Sequence, residues 1–529
     1  MTPRVLTVLA AILLLHGLLA LPTHPDQLAW TTLVRPAPEL AVLVLLALAA
    51  GRAIAGRLLR VTVTLILTLV TVLKVADLAM LESLGRRFNP VADLPLIDAS
   101  VRLIAGSVGP LQAAGAVVAA LLAAMLIAVG TWWAVGVLIR RAPRAGWARS
   151  ASMAASAVAI AVVSAMAPTA TFATAAFAAD RAQLSARTVT ELRQFREQAL
   201  EDALAGLRDP LALIDRDVLV IFLESYGRTS FDTPFFADTH LPRLRQAQQA
   251  LQDRGLAMAS GFLTSPTHGG QSWLAHATLA NGLWVNDQTR YQAAIASGRR
   301  TLFHHAADAG FRTAAVMPAI VRPWPEASTM GFQRILTAPD LGYRGEPFNW
   351  VTMPDQFTLA ATDRLLRDGS DSRRLFAQIA LISSHAPWTP VPQMLPWEDL
   401  GDGTEFNAMA QAGDPPNVVW RDRDRVRAQY RDTIDYTLQA VLDYAARQGD
   451  NAPLMVLVGD HQAATPIGLD NRREVPIHVI GPPDLIARTD AWGLTRGLIP
   501  APDSPAMPME ELRDTFMRNF SGSGNVPPA

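Results

Sequence analysis

Five stretches of this 529-residue chain are apolar for long enough to cross a bilayer, and segments that must leave water narrow the available folds more than any other feature. A hydrocarbon core about 30 Å thick takes roughly 20 apolar residues of helix. The runs span residues 5–21, 40–59, 61–81, 111–139 and 151–179, and predict an N-terminal bundle of five transmembrane helices. Arg4 before the first run gives it the look of a signal peptide, but four further spans favour an uncleaved first helix. Arg4, the group Arg52, Arg57 and Arg60, and the group Arg140, Arg141, Arg144 and Arg149 fall in loops on one side, which the positive-inside bias assigns to the cytoplasm. Arg86, Arg87 and Arg102 run against that bias. An odd number of crossings from a cytoplasmic start puts everything after Asp180 outside.

Two charges interrupt the third run. Lys74 and Asp77 are three residues apart and share a helix face, and each would cost roughly 2.5–3.5 kcal/mol alone at mid-membrane. They are expected to snorkel to the outer interface, the alternative being that they line the path of a lipid headgroup. The fifth run contains Pro168 and ends in "ATAAFAAD", where cleavage near Ala178 would release the rest; an uncut helix is the preferred reading.

Beyond the runs the composition becomes that of a water-soluble enzyme. Residues 180–210 carry charges at helical spacing and read as a juxtamembrane linker helix ending at Asp209-Pro210. From there "DVLVIFLES", "LAMASGFL", "FRTAAVMPA", "LFAQIALISSH", "PLMVLVGD" and "VPIHVIG" read as strands separated by helical patterns. The alternation predicts an α/β domain over 211–522, with a mostly parallel sheet covered by helices on both faces, and a disordered tail over 523–529. A formal net charge of -1 argues against nucleic acid as a partner. The lack of cysteine removes disulfides, thiolate metal sites and a cysteine nucleophile, and no glycine-rich nucleotide loop is present.

In such sheets active sites gather at the carboxyl ends of strands. Glu224 ends "VIFLES", His385 ends "ALISSH", and Asp460 and His461 end "VLVGDH". Each alone reads more readily as a cap or loop residue. Together they form a mixed oxygen and nitrogen set suited to Mn2+, Mg2+ or Zn2+. In "SPTHGGQSWLAHATLANGLW", Gly269 and Gly270 permit a tight turn, and Ser272 starts a helical run where free N–H groups and the helix dipole favour a tetrahedral anion. The plain alternative is an N-cap. Beside a metal set Ser272 becomes a candidate nucleophile, with Thr264, Ser265 and Thr267 as competing hydroxyls.

Five membrane helices, a linker helix and "VLVIFLES", "GGQSWLAH", "SSHAPW" and "VGDHQ" in that order resemble the lipoteichoic acid synthase group, within the sulfatase and alkaline phosphatase superfamily. The group is similar to phosphoglycerol and phosphoethanolamine transferases. The resemblance implies Glu224, Ser272, Asp460 and His461 as ligands of one divalent ion, Mn2+ first and Mg2+ or Zn2+ as alternatives. It also implies Ser272 as nucleophile where the family commonly has Thr, and His385 as a substrate-contacting residue or general acid. Arg322 and Trp324, in "MPAIVRPWPEASTMGF", match in altered order the region that supplies a Trp and an Arg to the headgroup. The context "SWLAH" does not fit the formylglycine pattern of true sulfatases, so sulfate ester hydrolysis is not expected.

The implied protein is a multi-pass enzyme of the cytoplasmic (inner) membrane, its catalytic domain on the outer, periplasmic side. It would move a phosphoglycerol or phosphoethanolamine headgroup from a phospholipid donor to a glycan or lipid acceptor of the envelope through a covalent Ser intermediate. The alternatives are a periplasmic phosphodiesterase or other ester hydrolase on the same scaffold, and a non-catalytic envelope binding protein.

Overall fold

The computed structural model of the chain describes residues 2–27, 37–143, 146–166, 172–322 and 324–522. The expected tail at 523–529, Arg144 and Pro168 lie outside the described residues. The chain divides into two compact units, Met1–Ala105 with Gly109–Thr190, and Gly106–Val108 with Glu191–Ala529.

The first unit is helical: α1 Pro3–Leu19, α2 Pro38–Ala50, α3 Ile54–Leu84, α4 Ile97–Val108, α5 Pro110–Ile139, α6 Gly146–Met166 and the start of α7 Ala173–Leu200. Among the described residues, α3 and α5 are long and apolar enough to cross a membrane, at about 45 Å each for a rise of 1.5 Å per residue. Helices α1 and α2 are apolar but shorter. The expected run at 40–59 is broken where Gly51 turns to a φ of 62°, and the rest of it joins the third run inside α3. Continuous hydrophobicity hid that turn; the close approach of Gly56, where a Cβ would lie 1.8 Å from the Gly51 carbonyl oxygen, requires it. Leu15, Leu19, Ala47, Leu67, Ala134 and Leu138 share one core.

Lys74 and Asp77 do not snorkel; both are buried. Lys74 Nζ donates to the Leu19 carbonyl and to Thr174 Oγ1, each at 3.0 Å. Asp77 accepts from the Phe88 N–H at 2.8 Å and pairs with Arg181 at 3.2 Å. These partners satisfy both charges inside the bundle, at positions far away in the chain.

The second unit is built on one nine-stranded sheet. Its strands are β1 Val218–Leu223, β2 Ala257–Thr264, β3 Arg312–Met317, β4 Arg334–Thr337, β5 Leu375–Leu381, β6 Leu454–Gly459, β7 Glu474–Gly481, β8 Thr495–Arg496 and β9 Ala506–Pro508. The order β4-β3-β5-β1-β6-β7-β2-β8 is parallel from β4 to β6; β7, β2 and β8 are antiparallel to their neighbours, and β9 runs parallel to β2. Mostly parallel pairing with both faces covered is therefore present, with an antiparallel flank.

Alternation along β1 sends Leu219, Ile221 and Leu223 into one core and Val218, Val220 and Phe222 into the other. Each such side chain contributes about 1.5–3 kcal/mol by leaving water, so β1 is anchored on both faces. Helices α8 Pro234–Gln252, α10 Asp355–Leu366 and α11 Arg423–Ala446 pack on the first face, and α9 Ser272–Asn281 and α12 Glu511–Phe520 on the second. Registration is what matters for chemistry. Leu223 is level with both Leu381 and Gly459, so the residues after β1, β5 and β6 leave the sheet at one edge.

Candidate metal centre and nucleophile

Glu224 follows β1 directly, and its N–H still donates to the Leu381 carbonyl. Ser225 then takes a φ of 58°, which turns the chain so that its N–H donates to Asp460 Oδ1 at 2.8 Å. The His461 N–H donates to the same oxygen at 2.6 Å. Two backbone donors thus fix the Asp460 carboxylate by one oxygen. Gly459, just before it, lies where a Cβ would stand 1.9 Å from the Tyr226 carbonyl oxygen, so only glycine lets β6 deliver Asp460 this close to β1.

His461 Nδ1 pairs with the Gln462 carbonyl at 3.0 Å, so Nδ1 carries the proton and Nε2 is directed to the cluster. Nε2 lies 3.1 Å from Glu224 Oε1 and 3.8 Å from Asp460 Oδ1, yet has no partner in hydrogen-bonding geometry. One ligand atom each from Glu224, Asp460 and His461 lie within 4.8 Å of one another, and all three residues are buried. Two buried carboxylates beside an unpartnered imidazole nitrogen are costly unless a cation joins them. The donor set fits a divalent ion with hard oxygen and imidazole preferences.

The charges follow from this crowding. Burial opposes the Glu224 carboxylate, but His385 and His461 nearby hold its pKa below the usual range. Burial and the neighbouring Glu224 push the Asp460 carboxyl up to about 8. Burial works against the His461 imidazolium, and the two carboxylates outweigh it and raise His461 to about 9. Without a metal, a proton on this cluster does part of a cation's work.

Ser272 is the first residue of α9, and Gln271 before it has a φ of 68°. It is not the N-cap: that position falls to Gln271, whose side chain makes no cap bond. The Ser272 hydroxyl instead donates to Glu224 Oε2 at 2.8 Å. Its loop is joined to the metal loop by backbone, through a bridge between His268 and Gln462 and through the Gly269 N–H donating to the Gln462 carbonyl at 2.8 Å. Of the competing hydroxyls, Ser265 donates to the Asp460 carbonyl at 2.5 Å and Thr267 Oγ1 is buried without a partner.

His385 is half-buried after β5, its Nδ1 2.6 Å from the Ala386 carbonyl. Its turn is held from beneath. Asp355 at the start of α10 accepts from the Ile382 and Ser383 N–H groups at 2.7 and 2.9 Å, and Ser384 Oγ donates to the Glu224 carbonyl at 2.6 Å. Trp350 stacks on the His385 ring with centroids 3.8 Å apart. Trp350, Asp355 and Ser384 are absent from the sequence reading: "NWVTMPD" announces a helix start, but nothing in it points to β5. Arg322 is exposed and Trp324 packs partly against the second core; among the described residues neither is bonded to the cluster. His478 lies between Ser260 Oγ, 2.7 Å away, and Tyr226 OH, 3.1 Å away, and His276 packs on Phe222.

The sheet thus brings a buried Glu, Asp and His set that could hold a metal ion, and a hydroxyl, together at one edge. The family profile of the sulfatases matches residues 216–474, and the domain belongs to the sulfatase and alkaline phosphatase superfamily. No curated protein sequence matches the chain. Among solved structures it is similar to the integral membrane lipooligosaccharide phosphoethanolamine transferase A from Neisseria meningitidis, at 13% identity and a TM-score of 0.48, covering 97% of this chain and 95% of that one. It is also similar to the phosphoglycerol transferase GacH from Streptococcus pyogenes in complex with sn-glycerol-1-phosphate, at 14% identity and a TM-score of 0.36, over 63% of this chain and 92% of that one. The lipoteichoic acid synthase LtaP from Listeria monocytogenes matches at 13% identity and a TM-score of 0.40, over 64% and 79%.

Proposed function

We propose that the protein is a metal-dependent transferase of the cell envelope that moves a phosphoglycerol or phosphoethanolamine headgroup from a phospholipid to a glycan or lipid acceptor. The observation that supports it is the Ser272 hydroxyl hydrogen-bonded at 2.8 Å to Glu224, within a buried carboxylate and imidazole set that can hold a metal ion. Glu224, Asp460, His461 and Ser272 would hold one divalent ion, Mn2+ first. When bound, such an ion supplies charge neutralisation that favours an alkoxide on Ser272.

In this reading Ser272 Oγ attacks the phosphorus of the donor's phosphodiester. An Oγ–P bond forms and the bond from phosphorus to the diacylglycerol oxygen breaks. Glu224 Oε2 accepts from the hydroxyl before attack, the hydroxyl proton passes to water as the Oγ–P bond forms, and His385 Nε2 gives the leaving oxygen its proton, as a general acid contributes typically a factor of 10²–10⁴. Arg322, exposed, is the proposed contact for a headgroup oxygen, with Trp324 beside it. An acceptor hydroxyl then takes the group from Ser272. The proposed setting is the cytoplasmic membrane, with five crossings over 1–179, a linker over 180–210 and the catalytic domain of 211–522 outside. The apolar α3 and α5 support a membrane attachment, which would bring the enzyme to its lipid donor.

Incubating the purified chain and Mn2+ with headgroup-labelled phosphatidylglycerol or phosphatidylethanolamine should release diacylglycerol and leave label on the segment 265–284. Label appearing only as free water-soluble headgroup, in the presence of envelope acceptors, would assign the hydrolase instead. No diacylglycerol release with either lipid would defeat the proposal.

A further inference from the structure

Helix α11 carries Arg425, Gln429 and Asp432 four and three residues apart, which sets them on one face. Its other side is committed to the core through Val426, Tyr430 and Ile434. The polar face lines a cleft of about 770 Å3, whose further lining includes Thr389, Gln393, Met409 and Asp414.

The cleft is close to the candidate site. Thr389 is four residues after His385, so at about 3.6 Å per residue it begins no more than about 14 Å away along the chain. A lateral tie shortens the path: Asn349 Nδ2 donates to the Thr389 carbonyl at 2.5 Å, and the next residue, Trp350, is the one stacked on His385.

Its chemistry is selective. Arg425 is paired with Asp414 at 2.7 Å and Asp432 with Arg431 at 2.8 Å. The cleft therefore lacks an uncompensated cation for phosphate or an anionic headgroup. Among the described residues no hydrogen bond engages the carboxamides of Gln393 and Gln429, each a ready donor and acceptor. Next to the lining residue Val419 stands Trp420, half exposed. Its ring is parallel to buried Trp388, with centroids 5.8 Å and planes 4° apart, and its Nε1 donates to the Pro387 carbonyl at 3.2 Å. One face is fixed on Trp388, and half of the side chain, one residue beyond the cleft lining, is exposed. A neutral ligand with an apolar C–H face and hydroxyls that both donate and accept matches this combination.

We infer that the cleft binds a neutral saccharide, with Trp420 as stacking platform and Gln393, Gln429 and Asp432 as hydroxyl partners. Its identity as the acceptor rests on the transferase reading; the binding does not. As acceptor, the saccharide's hydroxyl oxygen bonds to phosphorus as its proton passes to the His385 Nε2 left bare by the first step, the Ser272 Oγ–P bond breaks, and Ser272 Oγ regains a proton from water.

The full-length protein in detergent would be titrated with neutral tetrasaccharides of glucose, mannose and galactose, read by saturation-transfer NMR and tryptophan fluorescence. At least one should bind saturably. Trp420→Ala should weaken it about tenfold or more and Trp420→Phe by no more than about threefold; Gln429→Ala, which leaves the tryptophan pair intact, should also weaken it. Binding by none of the panel, or binding indifferent to both Trp420→Ala and Gln429→Ala, would overturn the inference. So would Trp420-dependent capture of phosphatidylglycerol vesicles in place of sugar. Donor cleavage measured in parallel separates the two claims. Donor turnover without saccharide binding sinks the cleft and leaves the transferase; saccharide binding without donor turnover does the reverse.

Discussion

Two sets of buried charges in this chain differ in how their balance is completed. In the helical unit Lys74 finds the Leu19 carbonyl and Thr174, and Asp77 finds Arg181 and the Phe88 N–H, so each charge has a partner supplied by the protein. In the sheet unit Glu224 and Asp460 face one imidazole, whose Nε2 has no hydrogen-bond partner. The first arrangement is complete and acts as a clamp. The second is short of positive charge and therefore asks for something from outside. Burial and ionisation alone do not separate a structural cluster from a binding site; the unmatched charge does.

The largest expected effect tests the second cluster at its reactive atom. Ser272→Ala should reduce turnover of headgroup-labelled lipid by at least about 10³-fold while the melting curve of the metal-free protein stays near wild type, since its hydroxyl is held by one hydrogen bond outside the core. Activity within tenfold of wild type would remove the nucleophile assignment.

Next comes a pair of matched substitutions that can break the comparison itself. Asp77→Asn removes one of the two carboxylates paired with buried Arg181, leaving Asp180, and should destabilise the chain by about 1–3 kcal/mol. Asp460→Asn keeps an oxygen for the Ser225 and His461 N–H groups and relieves the crowding of carboxylates. In metal-free protein it should be neutral or stabilising, yet abolish metal uptake measured by elemental analysis. Equal losses of melting temperature for both variants would show that the two clusters are of one kind.

Imidazoles sharpen the contrast at lower amplitude. His461 is pushed up to about 9 by its carboxylates, whereas at His240 burial outweighs the nearby Asp435 and pushes the imidazole down to about 4, and burial alone pushes His478 down to about 3. An unfolded histidine titrates near 6.5, so on acidification the unfolded chain takes protons on His240 and His478 before the folded one. Their contribution to stability is complete above about pH 6.5 and is lost toward pH 4 for His240 and pH 3 for His478, at about 1.4 kcal/mol per pH unit per group. In chelator, the melting temperature should fall between pH 7 and pH 5, and His240→Gln should make that fall shallower. The smallest effect is assigned to the exposed Arg322: Arg322→Ala should raise the lipid KM by about tenfold, or 1.4 kcal/mol, with kcat little changed.

What the sequence revealed follows the range of each signal. Strand-end residues were legible because β1, β5 and β6 are continuous apolar runs, and a charge that ends such a run stands out locally. Parallel neighbours with a common edge then follow from helix and strand alternation. The antiparallel flank of β7, β2 and β8 was not legible, since period-two patterning carries no strand direction. Lys74 was misplaced for a related reason: its partners Leu19 and Thr174 are 55 and 100 residues away, and composition reports only the charge. Trp350 was missed because its contact with His385 is created by a loop that merely looks like a helix start.

The backbone bridge from His268 and Gly269 to Gln462 also has a bearing on synthesis. The loop presenting Ser272 is fastened to a strand end made 189 residues after it, counting from Ser272 to His461. At about 5–20 residues per second, roughly ten to forty seconds separate the two during translation. Over that interval a growing chain has Ser272 but neither Asp460 nor His461. On the transferase proposal, a half-made chain is thus unable to act on lipid, and competence arrives late, as a single event.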